Sequence, residues 1–132
     1  MKTIEVVAGV IRFENQYLCV QRGASKYEYI HHKYEFPGGK IEEGESEEQA
    51  LRRELKEELE IEIKSIIKKL SIVDHQYPDF RLIMHPYLCE PMSNNIQLKE
   101  HIDFKWLSKN ELQKLDWAAA DLPIVKELQN EF

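Results

Sequence analysis

Residues 36–61 read FPGGKIEEGESEEQALRRELKEELEI and contain the strongest helix signal in the chain. Ser46 and Gln49 have the spacing of a capping box, which marks the start of a helix. An apolar stripe with a period of four residues follows, as in a helix that buries one face. Its members are Leu51, Leu55 and Leu59. The stretch therefore predicts a glycine-containing turn that leads into an amphipathic helix.

Three carboxylates share one face of this helix. Glu54, Glu57 and Glu58 occupy positions i, i+3 and i+4, so their side chains project together beside the leucine stripe. An acidic run on a helix is usually a solvated surface. Divalent cations would turn the repulsion among the carboxylates into attraction, since Mg²⁺ prefers carboxylate oxygens, waters and phosphates. The helix alone leaves both interpretations open.

The spacing upstream of these glutamates favours the second interpretation. Five residues separate Gly39 from Glu45, and seven more separate Glu45 from the run Arg53-Glu54-Leu55-Lys56-Glu57-Glu58. This pattern resembles the Nudix box and departs from it only at Glu60, where the family has glycine. A positive φ is convenient at that position, so glutamate should cost about 1 kcal/mol if the backbone is unchanged. Alternatively, the helix runs slightly longer.

The resemblance extends beyond the box to MutT-like nucleoside triphosphate pyrophosphohydrolases. The similar segments are residues 7–11 (VAGVI), 35–42 (EFPGGKIE), 106–107 (WL) and 120–123 (ADLP). The resemblance implies an α/β (α+β) fold, the Nudix α/β/α sandwich, in which a mixed β-sheet lies between helices and the box forms loop–helix–loop. We expect residues 1–132 to form a single Nudix hydrolase domain.

The resemblance also implies a metal site and a reaction. Glu54, Glu57 and Glu58, together with the carbonyl of Gly38, should bind Mg²⁺ or Mn²⁺. Glu100 falls where MutT-like enzymes carry a glutamate on a later loop. It is an additional metal ligand, the base for the attacking water, or an ordinary exposed glutamate. Attack at the β-phosphorus of a nucleoside triphosphate substrate should give a monophosphate and pyrophosphate.

Two residues of the box are expected to support this site. Arg53 should orient the carboxylates through ion pairs, and Glu45 should support the cluster. The residues implied for catalysis are therefore Glu45, Arg53, Glu54, Glu57, Glu58 and Glu100.

The candidate nucleotide-binding residues lie outside the acidic cluster. Arg22 and Arg81 are candidates for contacts to the phosphates, although either could be an ordinary surface arginine. The base should stack or pack against Phe36, between apolar walls that are equally explained as core. The walls are Ile4, Val6 and Leu82.

Asp121 bears on the choice of base. An ionised aspartate only accepts hydrogen bonds, which favours an exocyclic amino group such as cytosine N4. A buried, protonated aspartate regains a donor and could recognise 8-oxoguanine. Asp121 could also simply cap the final helix, with Pro123 in its first turn. The sequence leaves these alternatives open.

The remaining segments predict a mixed sheet with a few helices. Apolar and β-branched segments predict strands over residues 4–13, 16–22, 61–73, 80–89 and 103–107, and residues 23–34 predict a loop. Ser108 and Glu111 predict a second capping box and a short helix.

The composition limits the possible partners and compartment. Against 24 Asp and Glu there are 18 Lys and Arg, which gives a net charge of −6. This balance disfavours binding to duplex nucleic acid, which needs a basic face. We expect neither a signal peptide nor a membrane span, because no apolar run approaches about 18 residues. Cys19 and Cys89 fit buried free thiols, so we expect a cytoplasmic protein. We expect either a monomer or a homodimer.

Three functions are compatible with these features. The first is a hydrolase that removes modified triphosphates, of the 8-oxo-dGTP or CTP/5-methyl-dCTP type, from the precursor pool. The second applies the same chemistry to ADP-ribose or another nucleoside diphosphate derivative. The third is a non-catalytic nucleotide-binding module, which the intact glutamates of the box disfavour.

Overall fold

The computed structural model describes residues 1–131, with side chains up to residue 130. Its strands are β1 (Lys2–Phe13), β2 (Gln16–Gln21), β3 (Tyr34–Glu35), β4 (Gly38–Lys40), β5 (Ile63–Lys69), β6 (Val73–Gln76), β7 (Phe80–Pro91) and β8 (Asp103–Leu107). The helices are α1 (Glu47–Leu59) and α2 (Leu122–Glu131), with 3₁₀ turns at Lys109–Lys114 and Ala119–Asp121.

The strands form one mixed sheet. Its central order is β3-β2-β1-β7-β5, and β4, β6 and β8 pair with β1, β7 and β2, respectively. The long strands β1 and β7 run parallel, from Lys2 opposite Phe80 to Ile11 opposite Cys89. Val7, Val10 and Ile11 of β1 are buried, because a central strand with both faces covered needs a continuous apolar run.

Helix α1 covers one face of the sheet. Its three leucines are buried and pack with Val7, Ile11 and Leu18. The predicted capping box is present: Ser46 Oγ accepts from the Gln49 N–H at 3.1 Å, and Gln49 Oε1 accepts from the Ser46 N–H at 2.9 Å. The helix ends at Leu59, and Glu60 has φ 55° and ψ 35°. Glutamate therefore adopts the left-handed conformation that the family gives to glycine, and the helix is not extended.

Helix α2 covers the opposite face. Ile124, Val125 and Leu128 are buried and belong to a second apolar cluster with Leu88 and Trp117. The sheet thus lies between two helical layers, and the expected α/β/α arrangement with a mixed sheet is confirmed.

Two segments differ from their predicted secondary structure. The predicted strand over residues 61–73 is two strands, because β5 ends at Lys69 and β6 begins only at Val73. The buried Leu70 between them still donates its N–H to the Pro86 carbonyl of β7 at 2.8 Å. The predicted short helix after Ser108 is a 3₁₀ turn, although its capping box is present. Residues 23–33 lie outside strands and helices as predicted, and Tyr34 begins β3.

Among residues 1–131, neither α-helix combines the length and apolar character needed to cross a membrane.

Candidate functional site

Arg53 is the centre of the acidic cluster on α1. Its Nε and Nη2 lie 2.7 and 2.9 Å from the two carboxylate oxygens of Glu45, and Nη2 also donates to the Lys40 carbonyl at 3.0 Å. The hydrogen bonds from Arg53, followed by that from the Glu42 N–H, lower the pKa of Glu45 to about 2. The same pair raises the pKa of Arg53. Glu45 therefore holds the guanidinium group in a fixed orientation.

The remaining guanidinium nitrogen of Arg53 points to the helix carboxylates. Nη1 lies 2.9 Å from Glu54 Oε1 and 3.2 Å from Glu57 Oε2. Glu54 is largely covered, whereas the side chain of Glu57 is 59% exposed. The arginine thus gathers two of the three predicted metal ligands on one side.

Glu58 is the third carboxylate, and it is buried. Burial raises its pKa to about 10, and a hydrogen bond with Glu54 and the charges of Glu54, Glu100 and Glu35 add to this shift. Its Oε2 has no hydrogen-bond partner among the described residues. A buried carboxyl beside another carboxyl is costly to ionise unless a cation joins them.

Glu100 lies on the exposed loop between β7 and β8. The backbone of that loop contacts the end of α1, where the Lys99 N–H donates to the Glu58 carbonyl at 3.3 Å. The charge of Glu100 acts on Glu58. The structure therefore brings Glu100 near the cluster.

The donor set of the cluster fits a hard divalent cation. All the donors are oxygens, which Mg²⁺ and Mn²⁺ accept, and the unpartnered Oε2 of Glu58 is a free ligand atom. Among the described side chains, no three of His, Cys, Asp or Glu are arranged as ligands of one metal ion. Arg53 and the Glu54–Glu58 hydrogen bond hold the carboxylates in their present positions.

Two glycines bring strand β4 close to this cluster. A Cβ on Gly39 would lie 2.5 Å from Oε2 of Glu54, and a Cβ on Gly38 would collide with the carbonyl of Val7. The carboxylate of Glu54 therefore rests directly on the backbone at Gly39. Any larger residue there would push it away.

A cleft of about 440 Å³ opens beside these glycines. Its lining includes Gly38, Gly39, Phe36 and Asp121. Phe36 is buried and stacks on Trp117, with ring centroids 4.7 Å apart. The three predicted apolar walls, Ile4, Val6 and Leu82, all line the cleft.

Asp121 lines the cleft beside Phe36. Its Oδ1 accepts a hydrogen bond from the Phe36 N–H at 2.9 Å. Burial raises the pKa of Asp121 well above its usual value and Glu35 raises it further, while the Phe36 N–H and Arg22 act in the opposite direction. Helix α2 begins at the next residue, as predicted. The contact to Phe36 favours a role in the cleft over that of a simple helix cap.

The two predicted arginines have different surroundings. Arg22 lines the cleft and pairs with Glu35, with Nη1 3.2 Å from Oε1. Arg81 is not among the residues that line the cleft, and its guanidinium forms a two-point pair with Asp74 at 2.9 and 2.6 Å. Sequence reasoning missed Asp74, which lies on the adjacent strand β6. It also missed the lysines that line the cleft, which are Lys2, Lys26 and Lys40.

Sequence reasoning also missed a link between the cleft and the acidic cluster. His101 Nε2 lies 3.0 Å from Glu35 Oε2 and 3.9 Å from Glu58 Oε1. The only available signal was that His101 follows Glu100, which the resemblance had already marked.

Comparison with known proteins gives a consistent result. A family model described as the NUDIX domain matches residues 3–128. The chain is 34% identical over 131 residues to the 8-oxo-dGTP diphosphatase of Escherichia coli (strain K12), covering 98% of each chain. It is 35% identical over 127 residues to the CTP pyrophosphohydrolase of the same strain, covering 96% of this chain and 91% of the relative.

A solved structure also resembles the whole fold. The MutT protein from Methanosarcina mazei Go1 superimposes with a TM-score of 0.85, over 98% of this chain and 95% of that one. The two sequences are 22% identical, so this likeness concerns the fold alone.

Proposed function

The chain belongs to the NUDIX domain family, and we propose that it hydrolyses (deoxy)nucleoside triphosphates to a nucleoside monophosphate and pyrophosphate. In this role it removes oxidised or modified nucleotides, of the 8-oxo-dGTP or CTP/5-methyl-dCTP type, from the precursor pool. The names of the two Escherichia coli relatives support both the reaction and the substrate class.

One observation carries the proposal. The buried carboxyl of Glu58 lies beside Glu54 with one oxygen unpartnered, and Glu54 rests on Gly39 at the edge of the cleft. Adjacent carboxyl groups suit a metal ion that binds a polyphosphate. The neighbouring cleft, which has cationic and apolar groups in its lining, suits the rest of a nucleotide.

We propose Mg²⁺ or Mn²⁺ as the cofactor, since NUDIX hydrolases generally use divalent metal ions. When bound, the metal would neutralise phosphate charge and make a water nucleophilic. Glu54, Glu57, Glu58 and Glu100 would hold it, together with the carbonyl of Gly38. The position of Glu100 near Glu58 supports its role as a ligand or as the base for the attacking water.

Other residues of the chain would orient the groups that react. Arg53, fixed by Glu45, sets the positions of Glu54 and Glu57 through its ion pairs. The cationic groups that line the cleft would bind the phosphates. They are Arg22, Lys2, Lys26 and Lys40. Arg81 is left out of this set, because Asp74 occupies its guanidinium.

The base would lie against Phe36 and Asp121, which both line the cleft. The raised pKa of Asp121 supports a protonated carboxyl, which offers both a donor and an acceptor. Such a group can pair with 8-oxoguanine as well as with cytosine. Both nucleotide types therefore remain in the proposed substrate class.

Product analysis by chromatography tests the proposal. Purified protein with Mg²⁺ is incubated with 8-oxo-dGTP, dGTP, dCTP, 5-methyl-dCTP and ADP-ribose in separate reactions. We expect a monophosphate and pyrophosphate from at least one modified triphosphate. Glu57→Gln should abolish turnover while the fold remains intact, and Glu48→Gln, on the same helix but outside the acidic cluster, is the matched control.

Three outcomes would contradict the proposal or its site. Cleavage of ADP-ribose alone would keep the metal chemistry but change the substrate class. If nothing is cleaved with Mg²⁺ or Mn²⁺, the non-catalytic nucleotide-binding module becomes the preferred interpretation. Full activity of Glu57→Gln would overturn the assignment of the site.

Two further expectations remain part of the proposal. The single eight-stranded sheet supports one domain over residues 1–132. Cys19 and Cys89 are both free and buried, which supports a reducing compartment such as the cytoplasm.

A further inference from the structure

His101 is a buried histidine that the proposed chemistry does not use. Its side chain is 4% exposed. Its Nε2 lies 3.0 Å from Glu35 Oε2 and 3.9 Å from Glu58 Oε1, while Nδ1 has no partner among the described residues. The Nε2 atom therefore lies between Glu35, which lines the cleft, and Glu58 of the acidic cluster.

The surroundings of Glu35 determine which ring nitrogen carries the proton. The Arg22 guanidinium donates to Oε1 of Glu35 at 3.2 Å, so this carboxylate acts as an acceptor. The His101 proton therefore belongs on Nε2, from which it is donated to the other oxygen of Glu35. The Nε2–H is aimed at Glu35, and Nδ1 has no hydrogen-bond partner among the described residues.

The backbone on both sides of His101 is fixed. The Ile102 N–H donates to the Gln21 carbonyl at 3.0 Å, and the Lys99 N–H donates to the Glu58 carbonyl at 3.3 Å. These bonds tie the loop to β2 and to the end of α1. His101 is consequently held in place before any ligand enters.

Glu35 connects the cleft with the acidic cluster. It lines the cleft, and the next residue, Phe36, donates its N–H to Oδ1 of Asp121 at 2.9 Å. The charge of Glu35 acts on both Asp121 and Glu58. Without His101, the carboxylate of Glu35 would keep Arg22 as its partner but lose its second anchor. Its distance from Asp121 would then no longer be fixed.

We propose that His101 is a positioning residue that anchors Glu35 between Asp121 and Glu58, and so sets which base the cleft prefers. This inference rests on the proposed triphosphate hydrolysis. His101 acts through Glu35 and need not touch the substrate itself. Its expected effect is on base preference as well as on rate.

Three variants test the proposal. His101→Leu removes the N–H donor, whereas His101→Gln retains an amide N–H that can replace it. His85→Leu is the matched control, because His85 is also buried and bonded to a glutamate, with Nε2 2.8 Å from Glu5. His85 alternates with the cleft residues Leu82 and Met84 along β7 and contacts Glu47 of α1, so it faces away from the cleft.

The measurement is kcat/KM for 5-methyl-dCTP and 8-oxo-dGTP, together with the melting temperature of each variant. We expect His101→Leu to lower kcat/KM for the better substrate by about 10–100-fold and to change the ratio between the two substrates. We expect His101→Gln to restore most of the kcat/KM value and most of the wild-type ratio between the two substrates. We expect His85→Leu to change the melting temperature without changing that ratio. If His101→Leu is too unstable, Glu35→Gln should change the ratio in the same direction.

Different results would overturn the inference and the proposed function. Failure of the wild-type protein to cleave any triphosphate contradicts the proposed function. An active wild type with an unchanged ratio in His101→Leu and Glu35→Gln contradicts the positioning role. The same is true if His85→Leu alters the ratio as much as His101→Leu, since that result would indicate a purely structural effect.

Discussion

Arg53 and Glu45 form a two-point ion pair, with Nε 2.7 Å from Oε2 and Nη2 2.9 Å from Oε1. The pair joins helix α1 to the turn that precedes it, eight residues earlier. It uses one edge of the guanidinium group, formed by Nε and Nη2, and leaves Nη1 for Glu54 and Glu57. The positions of both carboxylates therefore depend on a residue outside the helix.

Arg53→Lys should strongly reduce activity. A lysine cannot make the planar two-point contact to Glu45 and also reach Glu54. We expect kcat/KM to fall by about 10–100-fold. Because the pKa of Glu45 is lowered to about 2, the pair stays ionised at neutral pH and is lost only as the pH falls toward that value. The deficit should therefore be the same across the neutral range in steady-state assays.

Arg52→Lys is the control for this change. Arg52 is the neighbouring residue on α1 and donates to the Ile63 carbonyl at 3.4 Å, away from the cluster. It should retain wild-type activity. Equal losses in the two variants would show that the Arg53 pairs do not position the carboxylates.

Gly39→Ala should impair activity more than stability. The added methyl group would lie 2.5 Å from the Glu54 carboxylate, and that carboxylate is the end of a flexible side chain that can move aside. Gly38→Ala should instead destabilise the fold, because its Cβ meets the backbone carbonyl of Val7. Urea unfolding and kcat measured side by side test this contrast. Similar stability of the two variants would contradict it.

Glu60→Gly should stabilise the protein. Glu60 has φ 55°, and a left-handed conformation costs a residue with a side chain about 1 kcal/mol relative to glycine. The pair with Lys99, at 3.6 Å on the surface, contributes little. We expect the free energy of unfolding to rise by about 1 kcal/mol, with kcat unchanged. Glu60→Ala loses the same ion pair but keeps the β-carbon, so it should show no gain.

Asp121→Asn should change how stability depends on pH. The folded-state pKa of Asp121 is raised, so the native protein keeps a proton that the unfolded chain releases. The resulting stabilisation is complete below the unfolded pKa, about 3.8, and is lost as the pH rises through the folded pKa. Asparagine has no such proton and can still accept from the Phe36 N–H.

The variant should therefore gain stability relative to the wild type as the pH increases from about 4 toward neutrality. Denaturant unfolding at several pH values measures this difference. A difference that is constant or decreases with pH would show that Asp121 is ionised in the native state.

Helix α1 and the long strands could be predicted from the sequence, because the patterns that define them lie within the same short segments. The capping box at Ser46, the leucine stripe and the spacing of the box define α1 within a few residues, and the structure confirms them. The apolar segments likewise predicted the long strands. The end of β5 before Leu70 was missed, because Leu70 is apolar and lies in a segment whose composition is typical of a strand. Its place in the core is the same as that expected of a buried strand residue.

The contacts that complete the site could not be predicted in this way. Asp121 meets Phe36 across 85 residues, and His101 meets Glu35 across 66. Arg81 was a candidate for phosphate binding, and its ion pair with Asp74 becomes visible only once β6 pairs with β7. Such contacts arise from the order of strands in the sheet, which residue spacing does not encode.

The hydrogen bond between Phe36 and Asp121 also has a consequence for biosynthesis. Helix α1 is complete at Leu59, whereas Asp121 needs α2, which ends about 70 residues later. At about 5–20 residues per second, a ribosome takes roughly 4–14 s to cover that interval. For most of that time the chain contains the segment of α1 but not Asp121. The helix carboxylates that we propose as metal ligands are therefore synthesised well before the residue that we propose as a contact to the base.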